Sequence, residues 1–146
     1  MVAAMAIAMC GASCAGVMNG LGVSKEARMI RDLERARRLV DAALSPSPRA
    51  AERRVPSETM VDQPLLAELR VEIVAAQNAA ASDLSTKEKM ETLRAHIARG
   101  QWIAAALTTP QTPVSGEPRA QIAMDRDALR RLRSELGNAG RLAPAV

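Results

Sequence analysis

The sequence predicts an all-α protein of about four amphipathic helices, joined by Pro-rich linkers and preceded by a flexible N-terminal leader. The 146-residue chain is rich in alanine, leucine, arginine and glutamate, which are strong helix formers. Runs of β-branched or aromatic residues, which favour strands, are nearly missing. Apolar side chains also recur at spacings of three and four residues, as on one face of a helix. We therefore expect helices and no β-sheet.

The composition limits the size of the hydrophobic core. Hydrophobic residues make up 48% of the chain, but many of them are alanine, and the chain has one Trp and neither Phe nor Tyr. A fully buried Leu, Ile, Val or Met contributes about 1.5–3 kcal/mol, and alanine contributes much less. A core of this kind predicts helices in an extended rather than globular arrangement, or a chain that depends on a partner.

Positive and negative charges are mixed along the chain. The 20 basic and 16 acidic residues give a formal net charge of +4. Nucleic-acid binding typically needs basic residues clustered on one face, and no predicted helix has a large excess of them. Nucleic acid is therefore not the partner that we expect, and a weak DNA-binding regulator is only a second alternative.

The first 23 residues carry no charged side chain. An apolar start followed by small residues suits a signal or lipid-anchor segment, although the basic residues of a signal peptide are missing. A flexible leader, or a true start at Met18 or Met29, is the other interpretation. We expect a cytoplasmic protein, with export or membrane anchoring through residues 1–23 as the alternative.

Two Pro-rich linkers divide the chain into helical units. The predicted units are a leader at 1–23, a helix at 24–44, a linker at 45–61, a central helical unit at 62–107, a linker at 108–118, and a C-terminal helix with its tail at 119–146. In the central and C-terminal units we expect helices at 62–81, 86–99 and 119–136. No internal repeat is visible.

Capping residues indicate where three of the helices begin. Ser24 and Asp62 suit N-caps, because a short polar side chain can accept a hydrogen bond from a free backbone N–H. Ser85 and Glu88 match a capping box. At the other end of the same helix, Gly100 suits a left-handed C-cap, which predicts that the helix ends there.

The sequence gives no sign of catalysis or of a bound cofactor. Cys10, Cys14 and His96 are the only cysteines and histidine, and they are too few for a typical four-ligand metal site. Nothing around His96 suggests a nucleophile with its base and orienting group. No Gly-rich phosphate loop or dinucleotide motif occurs. We therefore expect a protein that is not an enzyme and that has no metal site or cofactor.

The central unit resembles a known protein family. It contains PLLAELR at 64–70 and, after a polar break, KMETLRAHIARGQW at 89–102. Over residues 62–102 this pattern is similar to that of the flagellar anti-sigma factors, the negative regulators of flagellin synthesis. That family typically has a helix, a polar break, and a helix that ends in Ile-Ala-x-Gly-x-aromatic, as residues 97–102 do here.

The resemblance implies a non-enzymatic regulatory protein that sequesters a protein partner, the flagellar sigma factor. The contact residues that it implies are Leu66, Leu69, Ile73, Leu93, Ile97 and Trp102. The same residues suit the packing of the protein's own helical hairpin at least equally well. An exported or lipid-anchored helical envelope protein is the alternative function.

Overall fold

The computed structural model describes residues 24–46, 57–110, 116 and 118–143. In chain order these form helix α1 (Lys25–Leu44), strand β1 (Glu58–Asp62), helices α2 (Gln63–Ala80) and α3 (Thr86–Ala106), strand β2 (Gln121–Asp125) and helix α4 (Arg126–Leu142). The all-α class with four helices is confirmed. The expected leader at 1–23, with Cys10 and Cys14, lies outside the described residues, as does the middle of each expected linker.

Helices α1 and α3 begin at the capping residues that the sequence identifies. The Ser24 hydroxyl accepts a hydrogen bond from the Ala27 N–H at 3.1 Å. At α3, the Ser85 hydroxyl accepts from the Glu88 N–H, and the Glu88 carboxylate accepts from the Ser85 N–H at 3.2 Å. Hydrogen bonds from Ser85 lower the pKa of the Glu88 carboxyl. The capping box is therefore confirmed, and it satisfies backbone donors that the helix leaves unpaired.

Strands β1 and β2 pair as an antiparallel two-stranded ribbon, in which Met60 is opposite Ala123. Each strand leads directly into a helix, because Asp62 caps α2 and Asp125 caps α4. The ribbon corrects two expectations, that the chain has no sheet and that the last helix begins at 119. Strands of five residues give little local signal, and each of these is stabilised by a partner far along the chain.

The four helices form a closed ring around one hydrophobic core. Helix α1 packs against α2 and α4, and α3 packs against the same two helices. Large side chains that are fully enclosed include Met29, Leu33, Leu66, Leu69, Ile73, Leu93, Ile103, Leu132 and Leu136. This shared core replaces the extended arrangement expected from the composition. Small residues such as Ala36, Ala76 and Ala139 are completely buried, so neighbouring helices lie close and few large side chains fill the interior.

Three details of the predicted helices are wrong. The spacing of Ile30 with Leu33 and Val40 predicts that Ile30 faces the core, but Ile30 is 38% exposed and Met29 points into the core with 1% exposure. Helix α3 does not end at Gly100 but continues to Ala106, and α4 continues beyond 136 to Leu142. A Cβ atom at Gly100 would lie 3.4 Å from Leu69 Cδ1, an ordinary contact, so this glycine is a buried position inside a continuing helix.

The fold consists of two related halves, a repeat that inspection of the sequence does not detect. The first half is α1–β1–α2 and the second is α3–β2–α4. In α2 and α4 the buried positions correspond at a constant interval, with Leu66, Leu69, Ile73 and Ala76 matching Leu129, Leu132, Leu136 and Ala139. In α1 and α3 the interval is one residue longer, with Met29, Leu33, Ala36 and Val40 matching Leu93, Ile97, Gly100 and Ala104.

Each half contributes one helix to each of two equivalent helix pairs. The contact between α1 and α4, which contains Asp32 and Glu135, is called the first seam. The contact between α2 and α3, which contains Glu72 and His96, is called the second seam. Because the two seams have the same architecture, differences between their side chains show what the packing itself does not require.

Candidate functional site

Most of the residues implied as partner contacts lie in the protein's own core. Leu66, Leu69, Ile73, Leu93 and Ile97 are each at most 2% exposed. Trp102 is the exception, because 66% of its surface is exposed to solvent. The structure therefore places the apolar stripe inside the protein and leaves one aromatic side chain outside.

Trp102 projects from α3 with little cover from its neighbours. Side chains one turn away on a helix are adjacent on its surface, and for Trp102 these include Ala98, Arg99 and Ala105, all of them exposed. Two of the three are alanine, which is too short to cover an indole ring. Trp102 is also the only Phe, Tyr or Trp in the chain.

Ion pairs connect α3 to α2 in the second seam, one turn from Trp102. Arg99 Nη2 lies 2.6 Å from Glu68 Oε1, and Arg99 Nε lies 3.0 Å from Glu72 Oε1. The other oxygen of Glu72 lies 2.7 Å from His96 Nδ1. Hydrogen bonding to Glu68, together with the attraction of its charge, raises the pKa of Arg99. Trp102 thus lies next to a group of ion-paired side chains, and His96 is hydrogen-bonded within that group.

The equivalent polar group of the first seam has different chemistry. Asp32, Arg35 and Glu135 occupy the positions that His96, Arg99 and Glu72 occupy in the second seam. Arg35 Nη1 lies 3.8 Å from Glu135 Oε1 and 4.0 Å from Asp32 Oδ1. Burial raises the pKa of Glu135, hydrogen bonding and repulsion by Asp32 raise it further, and Arg35 opposes the shift. This seam therefore contains two neighbouring acids where the other pairs an acid with a histidine.

Arginine side chains surround the acids of the first seam. Two adjoining hollows of about 330 and 300 Å³ lie along this seam and share Arg35. The arginines that line them are Arg28, Arg31, Arg35, Arg38, Arg131 and Arg141. The charge of each helix alone does not reveal this cluster, because the fold brings arginines of α1 and α4 together. We call this surface the arginine groove.

A larger hollow of about 570 Å³ lies beside the ribbon, and its wall contains an ion pair between the buried Asp62 and the more exposed Arg119. Arg119 Nε lies 2.6 Å from Asp62 Oδ2, and Arg119 Nη2 donates to Asp62 Oδ1 at 3.2 Å. The Leu65 N–H also donates to Asp62 Oδ1, at 2.8 Å. Both carboxylate oxygens of Asp62 therefore have partners, and the pair with Arg119 holds the start of α2 in place.

Among the described residues, no group of three or more His, Cys, Asp or Glu side chains is arranged to hold a metal ion. None of the helices α1 to α4 has the length and apolar character that crossing a membrane requires.

Comparisons with known proteins supply no family for this chain. No protein-family model matches it, and neither a curated protein nor a solved structure shows significant similarity to it. The candidate surfaces are therefore the exposed Trp102 on α3 and the arginine groove of the first seam, each defined by its own residues.

Proposed function

We propose that this protein is a non-enzymatic regulatory protein that binds a protein partner on its native surface, with Trp102 at the centre of the contact. The observation that carries the proposal is the 66% exposure of this side chain. Tryptophan is enriched among the residues that dominate protein–protein binding energies, because its large apolar ring also carries an N–H donor. Burial of the exposed part would remove roughly 150 Å² from water, a gain of about 4 kcal/mol.

The surroundings of Trp102 also suit a binding surface. Strong interface residues are typically apolar anchors that a polar rim encloses. Here the exposed Ala98 and Ala105 are short side chains one turn from Trp102, and the ion pair of Arg99 with Glu68 provides a polar edge. Because that pair connects two helices of the core, the surface needs little reorganisation when a partner binds.

The proposed contact uses the native surface and leaves the apolar stripe inside. A partner that bound Leu69, Leu93 and Ile97 directly would have to separate α2 and α3 from the shared core. Each large side chain removed from the core costs about 1.5–3 kcal/mol, which the new contacts would first have to replace. Docking around Trp102 has no such cost.

The partner that we propose is the flagellar sigma factor, and the resemblance of residues 62–102 to the flagellar anti-sigma factors supports it. A sigma factor acts in the cytoplasm, so the same proposal places this protein there. Export or lipid anchoring through residues 1–23 is the alternative. The mass of the mature N-terminus separates the two, because an intact Met1, Met18 or Met29 excludes cleavage of a leader.

The proposal is tested by titrating labelled flagellar sigma factor with the wild-type protein and two variants. We expect Trp102→Ala to weaken binding by about 30-fold or more, as for a typical interface anchor. Val71→Ala is the matched control, because Val71 lies on α2 and is 62% exposed, so its truncation removes a similarly accessible apolar side chain. It should change the affinity by less than about twofold.

Two outcomes would overturn the proposal. If the wild-type protein does not bind, the flagellar sigma factor is not the partner. If both variants bind as the wild type does, or if both lose the same affinity, Trp102 is not the centre of the contact. Circular dichroism of each variant verifies that the helices are intact, as the exposure of both side chains leads us to expect.

A further inference from the structure

We propose that the arginine groove of the first seam binds the phosphate backbone of double-stranded nucleic acid. The groove lies between α1 and α4, whereas Trp102 lies on α3. Six arginines line the groove, against two acids, Asp32 and Glu135. Both acids are largely buried, with 13% and 19% of their side chains exposed, so arginine dominates the accessible surface.

Several of these guanidinium groups are not held in a close ion pair. In the described part of the chain, Arg28, Arg31 and Arg131 form no ion pair, and Arg35 has only distant ones, at 3.8 and 4.0 Å. Arg38 pairs with Glu34 on its own helix, where both side chains are substantially exposed. A guanidinium carries five N–H donors in a planar fork that matches phosphate oxygens. The groove therefore offers unoccupied hydrogen-bond donors as well as charge.

The second seam provides an internal comparison, because the same architecture carries other residues there. On α3, the positions equivalent to Arg28, Arg31, Arg35 and Arg38 hold Thr92, Ala95, Arg99 and Trp102. On α2, the positions equivalent to Arg131 and Arg141 hold Glu68 and Asn78. Only Arg99 keeps the arginine, and it is paired with Glu68 and Glu72. Packing of a seam does not require the other five arginines, so the groove is an addition to the fold.

The spacing of the arginines fits a regular polyanion. Four of them follow at intervals of three, four and three residues from Arg28 to Arg38, which keeps them on one face of α1 over roughly 15 Å. Arg131 and Arg141 lie on the opposite wall, on α4. Successive phosphates of one DNA strand rise by about 3.4 Å, so a face of this length spans about four of them.

The neighbouring side chains favour a duplex over a single strand. Single-stranded nucleic acid is typically held by bases that stack on aromatic rings. The only Trp of the chain, Trp102, is on the second seam, and there is no Phe or Tyr. Contacts in the groove are consequently with phosphates, which makes the expected binding independent of base sequence.

The test is fluorescence anisotropy of the full chain with a labelled 20-base-pair DNA duplex of arbitrary sequence. We expect binding at 50 mM salt that weakens by about a hundredfold at 200 mM, as neutralisation of roughly four phosphates implies. Arg31→Ala/Arg131→Ala should weaken binding by at least about tenfold and reduce the salt dependence by about two phosphates. Lys87→Ala/Lys89→Ala removes the same charge from α3, outside the groove, and should change the affinity by less than about twofold.

Each contrary result overturns the inference. No binding at 50 mM salt, or binding that is indifferent to salt, excludes a phosphate contact. Equal losses in the two double variants indicate a diffuse effect of net charge and not a groove. Binding to phosphatidylserine vesicles without binding to the duplex assigns the groove to a membrane surface. Thermal unfolding shows whether both variants are folded, and the sigma-factor titration with Trp102→Ala is independent of all these results.

Discussion

Glu72 and Glu135 occupy the same position in the two halves of the fold, but their neighbours differ in charge. Glu72 lies 2.7 Å from the His96 ring and 3.0 Å from Arg99. Glu135 has Asp32 beside it, and one of its buried oxygens has no hydrogen-bond partner. The buried apolar positions of the two halves match, so the halves share their packing and differ in the chemistry of their surfaces.

This difference predicts opposite effects for one substitution at the two positions. Glu72→Gln removes charge-assisted bonds to Arg99 and His96, and should destabilise the protein by about 1 kcal/mol at pH 7. Glu135→Gln removes repulsion between two acids, and should stabilise it by a few tenths of a kcal/mol. Urea unfolding measures both changes. Effects of the same sign would show that the two seams are not electrostatically distinct.

The benefit of Glu135→Gln should also depend on pH. Burial and Asp32 raise the pKa of Glu135, so the native state holds this proton more tightly than the unfolded chain does. Below the ordinary glutamate pKa of about 4.3 the group is protonated in both states, and the penalty is absent. As the pH rises through that value and through the higher native pKa, stability is lost. The variant should therefore exceed the wild type in urea midpoint at pH 7, and the gap should shrink toward pH 4. A gap that stays constant would contradict the raised pKa.

The start of α2 should be more sensitive than the start of α1. Asp62 is 5% exposed, caps α2 and pairs with Arg119. Asp62→Ala leaves the buried Leu65 N–H without an acceptor and removes the ion pair with the solvent-accessible Arg119, at a cost of about 1.5–3 kcal/mol. Ser24→Ala removes an exposed cap and should cost about 1 kcal/mol. Equal losses in chemical unfolding would show that the Arg119 pair contributes nothing.

Two glycines inside helices should respond differently to alanine. A Cβ atom at Gly100 would make ordinary contacts with Leu69 and Leu136, and the related half already has alanine at this position. Gly100→Ala should therefore stabilise the protein by about 0.5–1 kcal/mol. At Gly140 the new atom would overlap the Gln101 amide nitrogen, which donates to the Leu136 carbonyl at 3.0 Å. Gly140→Ala should gain less or lose stability. Thermal unfolding that ranks it above Gly100→Ala would contradict the overlap with Gln101.

Local signals in the sequence identify the helices and their starts. The caps at Ser24, Asp62 and the Ser85–Glu88 box are confirmed, because capping depends on residues only two or three positions apart. The end of α3 is predicted wrongly because Gly100 lies in the buried face of a continuing helix, and a glycine alone does not distinguish such a position from a C-cap.

Features that depend on distant residues could not be predicted in the same way. The ribbon needs β1 and β2 together, and the arginine groove combines Arg31 of α1 with Arg131 of α4. The repeat is hidden because only the buried positions of the halves agree, while exposed ones such as Arg38 and Trp102 have changed. For the candidate site, the sequence singled out Trp102 but could not separate it from five residues that the fold buries.

Backbone amide hydrogen exchange, measured on the free protein and on its complex with the flagellar sigma factor, distinguishes docking around Trp102 from binding through the apolar stripe. We expect slow exchange at Leu69, Leu93 and Ile97 in both states, with new protection confined to the surface around Trp102. Faster exchange along α2 and α3 in the complex would contradict this expectation, because it would show that the apolar stripe leaves the core to bind the partner.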